Sequence, residues 1–277
     1  MAAAFNLLRT GRILFAATMI VIGVVGLARG DFAPIWQPVS HAFPAREFLI
    51  YICALVSLVS GAGLLLGRTA RPAALLLLVY LCIWTSVFRL PFILRQPLVE
   101  GGYQSCGENL VLISAIWVLL ACADGNSTTG PIAKLSSPLG LKVAYVLYGL
   151  ALIAFGGSHF AYLNLTAPLV PTFLGVPTFW AYLTGSIYIV TGLAILTGIA
   201  RRLGAIIAAI QIALITFLVW GPMVVSGAMS KSSWGETLVS WALTVGAVII
   251  AASIDNQTSP AAVSALNLPP QEAAAVP

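Results

Sequence analysis

Residues 48–71 read FLIYICALVSLVSGAGLLLGRTAR, and residues 179–202 read FWAYLTGSIYIVTGLAILTGIARR. Each is an apolar run that stops at a glycine followed by arginine. A helix rises about 1.5 Å per residue, so about 20 apolar residues cross a hydrocarbon core about 30 Å thick. At an offset of 131 the two runs share Phe48 with Phe179, Tyr51 with Tyr182, Gly61 with Gly192, Gly67 with Gly198 and Arg71 with Arg202. The same offset carries Thr85 onto Thr216 and Pro91 onto Pro222. An offset of 128 carries Phe32-Ala33 onto Phe160-Ala161, and Ser105-Cys106-Gly107-Glu108-Asn109-Leu110 onto Ser233-Trp234-Gly235-Glu236-Thr237-Leu238. Loop insertions and deletions change an offset in this way. The chain is expected to contain one unit written twice.

Working outward, eight stretches have spanning length: 10–28, 48–67, 72–92, 107–123, 142–163, 178–199, 203–221 and 236–252. Composition agrees. Of 277 residues, 60% are hydrophobic and 8% charged, with a mean hydropathy of +1.02; soluble domains carry about 25% charge. The expected fold class is an all-α membrane protein, its eight transmembrane helices forming two parallel four-helix-bundle repeats. Four spans per unit give both units the same orientation, about an axis along the membrane normal. The expected boundaries are a first repeat over 1–123, a linker over 124–141, a second repeat over 142–252 and a disordered tail over 253–277.

The net charge is +5, from 13 basic and 8 acidic residues. No lysine or arginine cluster supports a nucleic-acid partner; the expected environment is the lipid bilayer. Eight basic residues (Arg9, Arg12, Arg68, Arg71, Lys134, Lys142, Arg201 and Arg202) fall on the side of the termini and five on the other. The positive-inside rule then predicts a bacterial cytoplasmic (inner) membrane protein with both termini in the cytoplasm. Arg9, Arg12, the apolar run and Gly26-Leu27-Ala28 also fit a cleaved signal peptide. The counterpart of this span in the fifth argues for its retention.

The stretch Tyr148-Gly149-Leu150-Ala151-Leu152-Ile153-Ala154-Phe155-Gly156-Gly157-Ser158-His159-Phe160 is similar to the first helix of the DoxX-like family of bacterial membrane proteins. Residues Phe179-Trp180-Ala181-Tyr182-Leu183-Thr184-Gly185 through Gly192 to Gly198 resemble its second helix. The resemblance covers about residues 10–252 and is closer in the second half. It implies a four-helix unit with a short interfacial segment after its first helix. It also implies a link either to thiosulfate–quinone redox chemistry or to membrane scaffolding of antioxidant enzymes, and so a redox partner protein. The first half has Arg29-Gly30-Asp31 where the second has Gly157-Ser158-His159.

Ionisable residues within a bilayer cost about 2.5–3.5 kcal/mol each on insertion scales, so each is a candidate for function. Few lie deep, which argues against a proton pump or ion carrier. Gln211, near the centre of the seventh span, reads as an interhelical hydrogen bond or as a cavity lining. Glu108 and Glu236 each follow a serine by three residues. That is the capping-box pattern for a helix start, or a carboxylate pair drawn together by the repeat axis. Arg89 is expected to pair with Glu108 or Asp31, or to snorkel to the headgroups. Tyr148 lies eleven residues behind His159, about 20° around the helix. With Tyr145 and Tyr162 they read as a stripe facing a quinone headgroup, or as an aromatic belt. The candidate ligand set is His159, Tyr148, Arg89, Asp31, Glu108, Glu236 and Gln211.

His41 reads as an exposed loop residue and Cys106 as a thiol in a polar loop; Cys53, Cys82 and Cys122 sit in apolar runs. The chain has no Walker loop, no dinucleotide-binding glycine motif, no His-x-x-x-His and no CxxC, so no metal set is expected. Three functions remain in view. The first is a membrane subunit or scaffold of a redox system that binds a quinone or other apolar ligand. The second is a small-solute transporter with a midplane cavity around Gln211, Tyr80, Thr85 and Thr216. The third is a self-contained redox enzyme, which the missing thiol pairs disfavour.

Overall fold

A computed structural model describes residues 2–33, 39–40, 42–123, 131–227 and 231–256, with backbone alone at 2–5, 131–132, 231–233 and 255–256. His41, residues 124–130 of the expected linker and most of the expected tail lie outside these residues, while the rest of the linker holds α-helical turns at Pro131–Leu135 and the start of a helix at Pro138. No strand occurs among them. In chain order the helices are α1 (Ala2–Arg29), α2 (Arg46–Leu65), α3 (Ala70–Trp84), α4 (Leu90–Arg95), α5 (Glu100–Ala123), α6 (Pro131–Leu135), α7 (Pro138–Ala161), α8 (Leu163–Thr166), α9 (Pro177–Thr197), α10 (Arg201–Ile215), α11 (Gly221–Ser226) and α12 (Lys231–Asn256). A π-turn joins α3 to α4 at Thr85–Arg89, and another joins α10 to α11 at Thr216–Trp220. Eight of the resulting helices are long and apolar enough to cross a membrane.

The helices overrun their hydropathic windows. The fourth span was expected from residue 107, but α5 begins at Glu100, and α12 begins at Lys231 and ends at Asn256, inside the expected tail. Hydropathy marks only the hydrocarbon-embedded length, whereas helical pairing continues through the headgroup layer, which thickens the bilayer to about 40–45 Å. Glu108 and Glu236 are consequently inside helices, and the capping-box reading of both is overturned. Cys106 likewise lies on α5 rather than in a loop.

The π-turns follow from the two prolines. Pro91 and Pro222 have no N–H, and each ring would strike the carbonyl four residues earlier. Widening the preceding turn by one residue absorbs that conflict without ending the span.

Around the bundle the neighbours run α1, α2, α3, α5, α7, α9, α10, α12 and back to α1, with α5 and α12 also touching across the middle. Glycines set the closest approaches. A Cβ at Gly61 would sit 2.7 Å from the Ala16 carbonyl oxygen on α1, and one at Gly192 would sit 2.7 Å from that of Gly149 on α7. α5 and α12 are the most enclosed spans, while α2, α3 and α9 turn more of their surface outward.

Candidate functional site

Five helices converge on one cavity, and each presents residues four apart, one turn above another. These are Gln104 and Glu108 on α5, Phe155 and His159 on α7, Trp180, Thr184 and Tyr188 on α9, Ile207 and Gln211 on α10, and Glu236 and Ser240 on α12. The second π-turn adds Thr216 and Trp220. The cavity measures about 600 Å³, within the roughly 300–1,000 Å³ of small-molecule sites. It lies toward the end of the bundle opposite the termini and reaches down to Gln211, ten residues into α10. Part of the segment after α7 closes it over, through Leu169, Val170 and Leu174. Trp180 Nε1 ties that segment down by donating to the Leu174 carbonyl at 3.0 Å.

The polar groups are held individually. Gln211 is 7% exposed, and its Nε2 donates to the Thr184 carbonyl at 3.0 Å; its Oε1 has no hydrogen-bond partner. His159 Nδ1 lies 2.8 Å from the Phe155 carbonyl, and the ring leans on Tyr188 with centroids 5.4 Å apart. Glu108 is 5% exposed, with Oε2 unpartnered. The Arg89 and Glu236 side chains both lie within electrostatic range of it. The Thr216 hydroxyl meets that of Thr244 at 2.8 Å and the Ser240 carbonyl at 3.1 Å, which locks the π-turn to α12.

Of the seven sequence candidates, His159, Glu108, Glu236 and Gln211 line this cavity. Arg89 stands behind Glu108 and does not line it. Asp31 is elsewhere, bonded to Arg46 Nη2 at 2.7 Å. Tyr148 is fully buried and does not reach the cavity. The tyrosine stripe is dispersed: Tyr145 bonds Ser253 at 3.0 Å, and Tyr162 accepts the Gly101 N–H at 3.0 Å. A face shared along one helix becomes a shared site only where the neighbouring helices stand off, and at Tyr145 and Tyr148 they do not.

Sequence reasoning passed over Trp180, Thr184 and Tyr188 as site residues. Their signal was present, as a polar or amphipathic group on every fourth residue of an apolar span. Tyr80, Trp84 and Phe88 precede Gln211, Ile215 and Val219 by 131 residues. There the space is filled. Trp84 stacks on Phe88 at 4.3 Å and on Phe32 at 5.6 Å, with Tyr80 at 6.1 Å. Neither Tyr80 nor Thr85 lines the cavity. Among the described residues, no group of three or more His, Cys, Asp or Glu is placed to hold a metal ion.

No curated protein and no solved structure matches the chain. Residues 7–90 match the DoxX family model; the matched part lies in the first half, whereas the resemblance read from sequence was closer in the second. With eight helices long and apolar enough to cross a membrane, the chain is a multi-pass membrane protein that is similar to the DoxX family over residues 7–90.

Proposed function

We propose that this protein binds an apolar, membrane-dissolved molecule of the quinone class in the cavity between α5, α7, α9, α10 and α12, and serves as the membrane subunit of a redox system. The observation that carries the reading is the cavity itself: about 600 Å³, largely apolar in lining, with His159, Glu108, Glu236 and Gln211 in its walls. A few placed polar groups in an apolar cleft are the usual form of a small-molecule site. The electron-transferring chemistry belongs to a partner protein. In this reading the chain is two parallel four-helix repeats in the bacterial inner membrane, with both termini cytoplasmic. The paired π-turns at Thr85–Arg89 and Thr216–Trp220 and the eight-to-five basic bias support it. The second repeat keeps the cavity, and the first fills the equivalent space with aromatic rings.

Native mass spectrometry of the protein, extracted from its own membrane with minimal delipidation, tests the proposal. The expected result is a retained quinone-like or lipid-like molecule that is lost in His159→Ala. A co-purifying polypeptide with no small molecule would overturn it in favour of a scaffold. Solute transport is the second reading, favoured by one observation: the cavity reaches Gln211 and Thr216 near mid-span, where a π-turn interrupts the helix. Uptake of a polar solute into proteoliposomes that Gln211→Leu abolishes would select it.

A further inference from the structure

The two halves of the chain treat one charge differently. At the offset of 128 residues Glu108 corresponds to Glu236, and at the offset of 131 Arg89 corresponds to Trp220. Arg89 and Trp220 each close a π-turn. In the first half the Arg89 guanidinium lies within electrostatic range of Glu108, so that carboxylate has a cation of the chain's own behind it. In the second half an indole takes the place of the guanidinium.

The indole and the second carboxylate are neighbours. The Thr216 hydroxyl meets the Ser240 carbonyl at 3.1 Å, which pins the second π-turn to α12. α10 and α12 run in opposite directions. Trp220, four residues after Thr216, and Glu236, four before Ser240, therefore both lie about one turn further toward the outer end. Both line the cavity. Among the described residues no cation engages the Glu236 carboxylate, and none of the lysines or arginines lines the cavity. Glu108 and Glu236 lie within electrostatic range of each other. Two carboxylates with one guanidinium leave one negative charge uncompensated, and charges within a membrane protein are expensive unless paired. His159, the other basic group of the wall, is held at the Phe155 carbonyl and against the Tyr188 ring.

The rest of the wall suits an organic cation. Phe155, Trp180 and Tyr188 add three more rings to that of Trp220, and aromatic faces, indoles most of all, attract ammonium groups. Deeper in the same cavity Gln211, 7% exposed, presents an Oε1 that has no hydrogen-bond partner. The volume of about 600 Å³, largely apolar in lining, leaves room for an apolar body behind a charged head.

We infer that the cavity holds a monovalent organic cation with an apolar body, an amphiphilic amine or quaternary ammonium, whose charge lies between the Glu236 carboxylate and the Trp220 indole. The ligand brings the charge that Arg89 brings in the first half. This is a second ligand class for the cavity of the reading above, and it does not rest on quinone binding.

The test is equilibrium binding to the full chain in nanodiscs of phosphatidylcholine, which has no net charge, with binding to empty nanodiscs subtracted. Three radiolabelled probes of one chain length are titrated, dodecyltrimethylammonium, dodecylamine and dodecanol, and a short-tailed quinone is titrated separately. The expected result is at least about tenfold tighter binding of a cation than of dodecanol. That preference is expected to vanish in Glu236→Gln and to return in part in Glu236→Asp. Trp220→Arg, which writes the arrangement of the first half into the second, is expected to lose the cations as well. If Glu236→Gln does not fold, cation against alcohol in the parent protein still decides. Dodecyltrimethylammonium bound, with or without dodecylamine, supports a charge held by carboxylate and rings. Dodecylamine bound alone supports a protonated amine whose N–H groups reach Gln211 Oε1. Dodecanol bound as tightly as the cations, or cation binding unchanged in Glu236→Gln, overturns the inference. Quinone binding without cation binding overturns this inference alone, and cation binding without quinone binding overturns the quinone class alone. Binding of neither overturns both.

Discussion

Glycine at position 192 illustrates what a single residue contributes. It has no side chain to place, and its value is that the Gly149 carbonyl comes within 2.7 Å of where a Cβ would be. The obstacle is backbone, which cannot swing aside as a long side chain can. Gly192→Ala is therefore expected to push α7 and α9 apart at a cost of about 1–3 kcal/mol. That corresponds to a fall of about 3–10 °C in the unfolding midpoint in detergent. Gly67→Ala is the control, since nothing lies within 4 Å of its Cβ position; its midpoint is expected to stay with the parent. Differential scanning fluorimetry of the two variants checks the pair. Polar residues at this scale obey a similar local logic. Gln211 and His159 are each held by one backbone carbonyl, and that single bond decides which of their atoms remains available.

At the scale of elements, the same span is built twice with different fillings. Pro91 and Pro222 each follow a π-turn, which rotates the rest of the helix relative to a continuous α-helix. In one case the turn carries Phe88 onto the Trp84 ring at 4.3 Å; in the other it carries Thr216 and Trp220 onto a cavity wall. Trp84 is 3% exposed and packed on three rings. Lipid is as apolar as a protein interior, so little transfer energy is lost by truncating it. What remains is the hole. At about 24 cal/mol per Å³, a void of about 100 Å³ costs about 2–3 kcal/mol. Trp84→Ala is expected to destabilise by that amount, and Ile215→Ala, at the edge of space that is already empty, by about 1 kcal/mol or less. Chemical unfolding of the two variants in the same detergent measures the difference. Equal losses would mean that the two fillings do not differ as described.

For the whole molecule, an even number of spans puts both ends of the described chain at one end of the bundle. The turn at Gly198–Ala200 lies at that end, and the 96–99 turn and the 162–176 segment lie at the other. Single cysteines at Ile199, Leu98 and Phe173, which are 75%, 97% and 73% exposed, can report the sidedness in a background lacking Cys53, Cys82, Cys106 and Cys122. A membrane-impermeant maleimide is expected to label Leu98→Cys and Phe173→Cys on intact cells, and Ile199→Cys only after the membrane is opened. The opposite pattern would reverse the orientation read from the basic residues.

Much of the fold was legible along the chain, because crossing a bilayer is a demand on local composition. A run such as 179–202 must be apolar over a fixed length, and it ends where Gly198 and Arg201 end it. The number of spans, their approximate bounds and the glycines that allow close packing follow from that demand. The ends of α5 and α12 did not follow, since helices continue into the headgroup layer, where hydropathy falls. Four of the seven site candidates, His159, Glu108, Glu236 and Gln211, carried a signal because a polar group is costly inside an apolar span. Tyr148 carried the same signal and is simply buried. Whether space is left between helices depends on how far α9 and α10 stand apart and on what Trp84 or Ile215 puts there. That is a property of several helices at once, and tertiary packing alone decided it.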